Sequence, residues 1–378
     1  MRIVLLLLCL VHLSAGAFLP ESDAQLLLRT DPDDLIVIFL GDPQYHFPCT
    51  KFNADCKQHS RECRLRNGLD INPSLVNKTG VPRDVINRLE QECIKLESNF
   101  ANQVQRRSIF DLNRSLSTKP AAMVINGDLT NYGLLEQFEL FKDEWLSLPI
   151  PILPGLGNHD YENNVNDCVA NQCANRMLYW FVKYGRQHNL NLDYVKTQEY
   201  LIKSVYRGSF AYSKDVCNQL GDNCVHLIQL NNRPDYVAHI RAVSDWDIQG
   251  SFHWLVRDLN AVVNRTQPIF VNLHNHTPKV GERLHALLAD WINQPQNKGI
   301  NLRIAVLYAH WHDEHSITEK CIAGTTVPHI FVGSVPNNRY TTMKFLSDGN
   351  TVQAYLMSSR HNLPTQIMEA RTISWKRC

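Results

Sequence analysis

Short apolar runs rich in β-branched residues alternate with segments of helical periodicity along most of the chain. The run at 34–42 (DLIVIFLGD) precedes a helical segment at 85–104, and the run at 121–128 (AAMVINGD) precedes an amphipathic segment at 134–146. Two late runs flank Asp-Gly-Asn as in a β-hairpin. Strands that alternate with helices usually form sheets covered by helices. The sequence therefore predicts a layered α/β domain.

Polar side chains with ligating atoms follow the ends of five apolar runs. They are Asp42 and Gln44, Asp128, the stretch Asn158-His159-Asp160, His274 with His276, and His310 with His312. Ligands of layered α/β folds gather at the carboxyl ends of strands, so these residues predict one site. Mixed Asp, Asn and His donors suit Zn, Mn or Fe, whereas Ca²⁺ prefers oxygen ligands throughout. The donors exceed the needs of one tetrahedral ion, which favours two ions that share a carboxylate.

The ordered motifs GDPQ, GDLTN, GNHD, a strand-end His and AHWH resemble those of the calcineurin-like metallophosphoesterases. The match extends from Asp42 to His312, and GDPQ is similar to a subset with Gln at the usual position of a His ligand. The resemblance implies that Asp42 and His312 hold one metal, that Asn158 and His310 hold the other, and that Asp128 bridges them. It further implies a dinuclear centre at which a metal-activated water cleaves phosphate esters.

The same resemblance assigns the catalytic pair. His159 corresponds to the residue that faces the phosphate and protonates the leaving group, and Asp160 corresponds to the carboxylate that orients it. Asn158 and His159 are adjacent in a turn, so one side chain can bind metal while the next points towards a substrate. We therefore predict His159 and Asp160 as catalytic residues.

Two positions depart from the family pattern, and a third remains open. Gln44 is a weaker donor than His, so the sequence does not decide whether it binds metal, and Ala309 replaces the usual Gly before His310. In PIFVNLHNHTP either His274 or His276 can be the ligand. We favour His274, because it directly follows the strand as the other ligands follow theirs.

The spacing of the motifs predicts an insertion. Asp42 and Asp128 are 86 residues apart, whereas Asp128 and Asn158 are only 30 apart. One βα unit needs roughly 30 residues, so residues 45–84 are expected to form a loop pinned by disulfides. This loop follows a ligand strand and can cover the site. We expect His46 to be a loop residue rather than a ligand.

The N-terminal residues 1–17 have the basic start, short apolar run and small-residue end of a signal peptide. Ten cysteines follow it, an even number that suits an oxidising compartment. Their spacing predicts the pairs 168/173 and 217/224, leaves Cys321 for Cys378, and leaves the pairing of four more open: Cys49, Cys56, Cys63 and Cys93. Sequons stand at Asn77, Asn113, Asn264 and Asn275.

These observations predict a secreted metallophosphoesterase with a catalytic domain at 34–360 and a C-terminal tail at 361–378. We expect a small-molecule or lipid-headgroup phosphate ester as substrate. Whether it is a monoester or a diester stays open, and so does the oligomeric state. The formal net charge of +1 and the lack of a basic cluster argue against a nucleic acid polymer, and no segment after the signal is long enough to span a bilayer. The alternative is a catalytically weak relative that acts as a secreted binding protein.

Overall fold

The structure, a computed structural model, describes residues 29–50, 53–69, 82–199 and 203–378. Its first sheet has six strands, of which the three at one edge run parallel and the rest pair antiparallel. In the order in which they pair, these strands are β17 (Leu363–Ile373), β16 (Val352–Arg360), β15 (Arg339–Phe345), β1 (Leu35–Leu40), β2 (Ala122–Ile125) and β3 (Ile152–Pro154).

A second sheet has seven strands and a third has four. The second sheet pairs in the order β13 (His315–Ile322), β14 (Thr325–Val332), β12 (Ile304–Tyr308), β11 (Ile269–Leu273), β8 (Cys224–Gln229), β7 (Tyr212–Cys217) and β4 (Asn191–Leu192). Its central strands β8, β11, β12 and β14 are parallel. The third sheet pairs in the order β5 (Val195–Glu199), β6 (Lys203–Gly208), β10 (Asp245–Ile248) and β9 (Ala238–Ile240).

Six α-helices accompany the sheets in the described residues: α1 (Ala54–Arg66), α2 (Arg83–Ser115), α3 (Leu135–Trp145), α4 (Gln172–Gln187), α5 (Phe252–Ala261) and α6 (Pro278–Ile292). The start of α6 shows how the sequence sets a boundary. The Thr277 hydroxyl accepts a hydrogen bond from the Val280 amide, and Pro278 occupies the first turn, where its missing N–H costs nothing.

The two large sheets pack on each other through their apolar faces. Phe39 on β1, Phe270 on β11 and Phe345 on β15 meet in this interface, with ring centroids 6.0 and 5.3 Å apart for the successive pairs. On its other face the seven-stranded sheet shares a buried cluster with α5 and α6. The predicted layered α/β fold is thus confirmed, with two sheets at its centre.

The segment after β1 is pinned by two disulfides as expected, but in its described part it forms helix α1 and is not a loop throughout. Cys49 pairs with Cys56, at the start of α1, and Cys63 pairs with Cys93, so that α1 is fastened to α2. Disulfides also form in the three places that the sequence indicated: 168/173, 217/224 and 321/378.

The segment expected as a C-terminal tail is instead a strand. Residues 363–373 form β17, which pairs antiparallel with β16 across irregularities at Leu356 and Ser358. Most of the β17 side chains are exposed or half-buried, so backbone hydrogen bonds rather than apolar burial hold it, and the apolar periodicity that signals a strand is weak. Residues 363–373 therefore belong to the six-stranded sheet.

The predicted signal peptide at 1–17 lies outside the described residues. None of the helices in the described part of the chain combines the length and the apolar character that crossing a bilayer requires.

Candidate metal centre

Loops that follow strands of both large sheets converge at one place. Asp42 follows β1 and Asp128 follows β2, while Asn158 begins a single helical turn after β3. From the other sheet, His274 follows β11 and His310 follows β12. The parallel strands share a direction, so their carboxyl ends open on the same edge of each sheet. The site is therefore built from two sheets that meet there.

Two groups of ligating atoms form around Asp128. One group is Asp42, Asp128 and His312, and the other is Asp128, His274 and His310. Within each group all ligating atoms lie within 4.8 Å of one another. The structure thus brings together five of the residues that the sequence proposed as ligands, and Asp128 belongs to both groups.

The individual distances match those of atoms that share an ion. Nε2 of His312 lies 3.4 Å from Oδ1 of Asp42, and Nε2 of His274 lies 3.1 Å from Oδ2 of Asp128. Oδ1 of Asn158 lies 3.2 Å from the same His274 nitrogen. Ligands about 2.0–2.2 Å from one ion, at ordinary bond angles, are roughly 3–3.5 Å apart. The donor set and its spacing therefore fit divalent or trivalent metal ions.

His274 is buried and its ring is oriented from behind. Its Nδ1 lies 2.8 Å from the Asn126 carbonyl oxygen, so Nδ1 carries a proton and Nε2 faces the ligand cluster. Burial alone would lower the pKa of this imidazole, but the nearby carboxylates of Asp128 and Asp42 outweigh burial and raise the pKa to about 9. For Asp128, burial opposes ionisation, but the His274 imidazole lowers the pKa of this carboxyl to about 2. Each of the two groups therefore favours the charged form of the other.

For His310, in contrast to His274, burial outweighs the attraction of the nearby carboxylates. Burial and the neighbouring His274 lower the pKa of the His310 imidazole to about 4. Its backbone amide donates to Oδ2 of Asp42 at 3.3 Å. A neutral imidazole has a free lone pair, which is the form that binds a metal.

Several residues of the cluster have left-handed backbone conformations that side chains disfavour. The φ angles are +58° at Asp42, +51° at Asp128 and +68° at His310. Such positions cost about 1–3 kcal/mol each and collect at functional sites. The backbone of Gly157 lies so close to the Asp128 side chain that only glycine fits, because a Cβ there would lie 2.0 Å from Oδ1 of Asp128.

Ala309, which replaces the usual Gly before His310, is accommodated by a compensating glycine. The Cβ of Ala309 lies 2.4 Å from the position that a Cβ on Gly41 would occupy. Gly41 has no side chain, so the methyl group fits without moving the His310 loop.

Gln44 is fully buried beside the cluster, and its two amide atoms differ in their surroundings. Nε2 donates to Oδ1 of Asn131 at 3.2 Å. Oε1 is buried and finds no hydrogen-bond partner within the described residues. A buried oxygen without a donor is costly unless a cation or water satisfies it. An oxygen without a partner at this position is what we expect if Oε1 of Gln44 is a metal ligand.

The imidazole of His159 is held by a backbone carbonyl. Its Nδ1 lies 2.8 Å from the Asn131 carbonyl oxygen, and the His159 amide donates to Oδ1 of Asp128 at 2.9 Å. Nδ1 therefore acts as the donor to Asn131, and Nε2 is the nitrogen left for a substrate. His159 is half-buried next to the ligand cluster.

The carboxylate of Asp160 does not contact the His159 ring, contrary to the orienting role expected from the resemblance. It accepts hydrogen bonds from the amides of Gly157, Leu129 and Thr130, and from the Thr130 hydroxyl. Burial and the adjacent Asp128 raise the pKa of Asp160 to about 7. Asp160 thus fastens the GDLTN and GNHD loops to each other, and Asn131 orients the imidazole.

His276 and His46 are directed elsewhere. The His276 ring packs on Tyr308, 4.4 Å between centroids, and a Cβ on Gly281 of α6 would meet its Nε2 at 2.4 Å. Nε2 of His46 faces Glu136 at 3.9 Å. Between the two candidates after β11, the structure brings His274 and not His276 to the cluster.

Sequence reasoning missed two asparagines of the site. Asn131 holds the His159 ring, and Asn231, which follows β8, accepts the His274 amide on its carbonyl at 2.8 Å and the Leu156 amide on Oδ1 at 3.0 Å. The signal for Asn231 was present, because LIQLNN also ends an apolar run in polar residues. The role of Asn131 depends on its carbonyl, which every residue has.

The sequence profile of the calcineurin-like phosphoesterases matches residues 99–314, more than half of the chain. The chain belongs to the calcineurin-like phosphoesterase family. Members of this family are generally metal-dependent phosphoester hydrolases with a dinuclear metal centre. The matched region begins after the insertion, so Asp42 and Gln44 lie outside the matched region. In the folded chain both residues nevertheless lie beside the ligand cluster. No curated protein sequence matches the chain.

Solved structures similar to this phosphoesterase include a 5'-nucleotidase precursor from Thermus thermophilus, with 10% identity, a TM-score of 0.41, and coverage of 91% of this chain and 54% of that one. Calcineurin-like phosphoesterase YfkN from Bacillus subtilis has 12% identity, a TM-score of 0.29, and coverage of 91% and 90%. Haemophilus influenzae NAD nucleotidase (NadN) has 7% identity, a TM-score of 0.33, and coverage of 90% and 50%. The chain spans about half the length of the first and third.

Proposed function

We propose that this phosphoesterase is a secreted hydrolase of phosphate esters that works with two metal ions. Asp42, His312 and Gln44 would hold one ion, His274, His310 and Asn158 the other, and Asp128 both. The observation that carries the proposal is the sharing of Asp128 by two groups of ligating atoms, each within 4.8 Å. When bound, such ions neutralise phosphoryl oxygens and make a water molecule acidic at neutral pH. The metals we expect are Zn, Mn or Fe.

His159 would serve as the general acid. Hydrolysis breaks the bond between phosphorus and the leaving oxygen, and that oxygen must gain a proton. Because Nδ1 of His159 donates to the Asn131 carbonyl, the transferable proton is on Nε2 of the imidazolium. Asp160 would contribute indirectly, by keeping the loops of Asp128 and His159 together through its bonds to Leu129, Thr130 and Gly157.

Secretion is supported by the cysteines and by the apolar N-terminal sequence. All ten cysteines of the described residues stand in five pairs. Disulfides of this number persist in oxidising compartments. We therefore propose secretion or residence in the secretory pathway.

The test is a panel of phosphate monoesters and diesters assayed with protein reconstituted separately with Zn, Mn and Fe, with metal content measured on the same samples. We expect about two ions per chain and turnover that is lost on chelation. Stoichiometric metal without turnover on any ester would instead support the alternative of a binding protein, for which the replacement of a His ligand by Gln44 is the argument. A chain that binds no metal would refute the proposed hydrolase and would also support that alternative.

A further inference from the structure

Two aromatic side chains border the ligand cluster and contribute no ligating atom to it. The Phe47 ring centroid is 4.6 Å from that of His312 and 6.4 Å from that of His159. The Trp311 ring lies 5.6 Å from the His310 ring. Phe47 belongs to the insertion and Trp311 lies between two ligands of the AHWH motif, so the two aromatic residues approach the cluster from different segments.

Trp311 differs from the other tryptophans of the chain in its exposure. Its side chain is 55% exposed, whereas the six others are buried or packed against the core. Exposure of a large aromatic surface forgoes the stabilisation that its burial would give. An exposed indole fixed between two ligating histidines therefore suggests a surface that a bound molecule covers.

Phe47 is held firmly by the insertion. The amide of the preceding residue, His46, donates to the Ser98 hydroxyl of α2 at 2.8 Å, and the Cys49 amide donates to Oε2 of Glu97 at 3.2 Å. Cys49 is also fixed by its disulfide to Cys56. These bonds fix the backbone on both sides of Phe47 before any ligand arrives, which lowers the entropy cost of using this residue for binding.

We propose that Phe47 and Trp311 bind the organic group of the substrate, and that this group is apolar. The inference rests on the proposed function, because a phosphate at the ligand cluster fixes where its substituents extend. The leaving oxygen must lie next to Nε2 of His159, and Phe47 is the aromatic ring beside His159. The leaving group therefore passes Phe47, and the exposed Trp311 ring lies next to His310 at the border of the same cluster. The two rings offer apolar area and a single hydrogen-bond donor, the Trp311 indole N–H, so they match an apolar group better than an alcohol rich in hydroxyls.

The experiment measures binding rather than turnover, with phosphonates that cannot be hydrolysed at the P–C bond. Methylphosphonate and phenylphosphonate have the same head group and differ in apolar area, and cyclohexylphosphonate tests whether aromaticity matters. With metal-reconstituted protein in a calorimeter, we expect phenylphosphonate to bind about tenfold or more tightly than methylphosphonate. Phe47→Ala and Trp311→Ala should each reduce the affinity for phenylphosphonate about three- to tenfold and change that for methylphosphonate less than about twofold.

Tyr179→Ala is the matched control, because Tyr179 is also exposed but lines a separate cavity on α4 with Lys183 and Tyr206. Trp311 is exposed, so its variant tests the proposal even where Phe47→Ala impairs folding. Equal affinity of the wild type for methyl- and phenylphosphonate, or equal losses for both in Trp311→Ala, would overturn the inference while leaving the proposed function intact. If neither phosphonate binds the metal-loaded protein, the proposed function fails and this inference fails with it.

Discussion

Two buried histidines of this protein have nearly the same ionic surroundings, but only one of them lies in a group of side chains that could bind metal. His274 lies between Asp128 and Asp42 at the ligand cluster, and His226 on β8 lies between Asp215 and Asp258. In both cases the carboxylates outweigh the effect of burial and raise the pKa of the imidazole to about 9. A strongly perturbed pKa therefore does not by itself distinguish a functional site from a structural one.

The difference is in how completely the hydrogen bonds are satisfied. His226 places Nδ1 2.7 Å from Asp215 and Nε2 2.9 Å from Asp258, so each nitrogen has its own carboxylate. Asp258 also accepts from Ser213 and Asn191. At His274 one nitrogen faces several oxygens, and nearby acceptors such as Oε1 of Gln44 remain without donors among the described residues. We call the first arrangement the closed cluster and the second the open cluster. Converging acceptors favour a bound cation, whereas the closed cluster is satisfied by its own side chains.

The largest expected effect separates the two clusters by removing one carboxylate from each. Asp128→Asn should lose most of the bound metal and lower turnover by at least about 1,000-fold, because a neutral amide cannot bridge two cations. Asp258→Asn should keep its metal and its turnover and lose stability instead. Metal analysis and urea unfolding of both variants test this. Loss of metal in Asp258→Asn would show that the closed cluster is not purely structural.

The second effect distinguishes roles among histidines of the open cluster. His159→Ala should retain its metal and lose about 10²–10⁴-fold in turnover of alkyl phosphate esters, because these leaving groups need a proton. Nitrophenyl esters, whose leaving group needs little protonation, should show a much smaller loss. The matched control, His226→Gln, should leave both rates near wild type. Equal losses of His159→Ala on both esters would contradict the general-acid role.

The third effect is a pH dependence of stability that belongs to the closed cluster. The pKa of His226 is about 9 in the folded protein against about 6.5 when unfolded, so its contribution is complete below pH 6.5 and is lost as the pH rises through 9. We expect His226→Gln to cost roughly 2 kcal/mol at about pH 6, after discounting the exposed Asp215. Urea unfolding of chelator-treated wild type and variant at about pH 6, 7.5 and 9.5 should show the difference shrinking. A difference that stays constant or grows with pH would contradict the ionic role.

The smallest effect concerns the sequons beside each cluster. Asn264 is exposed near Gln267, which donates to Asp215 of the closed cluster, so we expect a glycan there without effect on metal or stability. Asn275 follows His274 directly, where a glycan would fill the cleft, and Asn113 is buried on α2. Site-resolved mass spectrometry of protein from a secretory host should find only Asn264 of these three occupied. High occupancy at Asn275 would move this segment to the outer surface and count against the open cluster.

Those parts of the site that depend on strand ends were predictable from the sequence. Asp42, Asp128 and His274 each follow an apolar run, and the geometry of parallel strands brings such positions together whatever the intervening residues are. The local cysteine pairs were predictable for a similar reason, since close spacing leaves few alternatives.

The rest depends on contacts that leave no local pattern. His226 meets Asp215 from β7 and Asp258 from α5, and only tertiary packing joins these elements. The orientation of His159 by the Asn131 carbonyl is likewise invisible, because a backbone carbonyl has no residue signature. The strand β17 was missed because its side chains are mostly exposed and lack apolar alternation.

The strand β17 and the residues after it connect the two large sheets. Just beyond it, the Lys376 carbonyl accepts the Thr326 amide and Cys378 is bonded to Cys321 on β13, so the chain passes from the edge of one large sheet to the edge of the other. The ligands are divided between those sheets, and a relative slide of the sheets would pull Asp42 and Asp128 away from His274. This connection between the two sheet edges resists such a slide. Reduction of the Cys321–Cys378 disulfide should therefore weaken metal binding, although neither cysteine contacts a ligand residue.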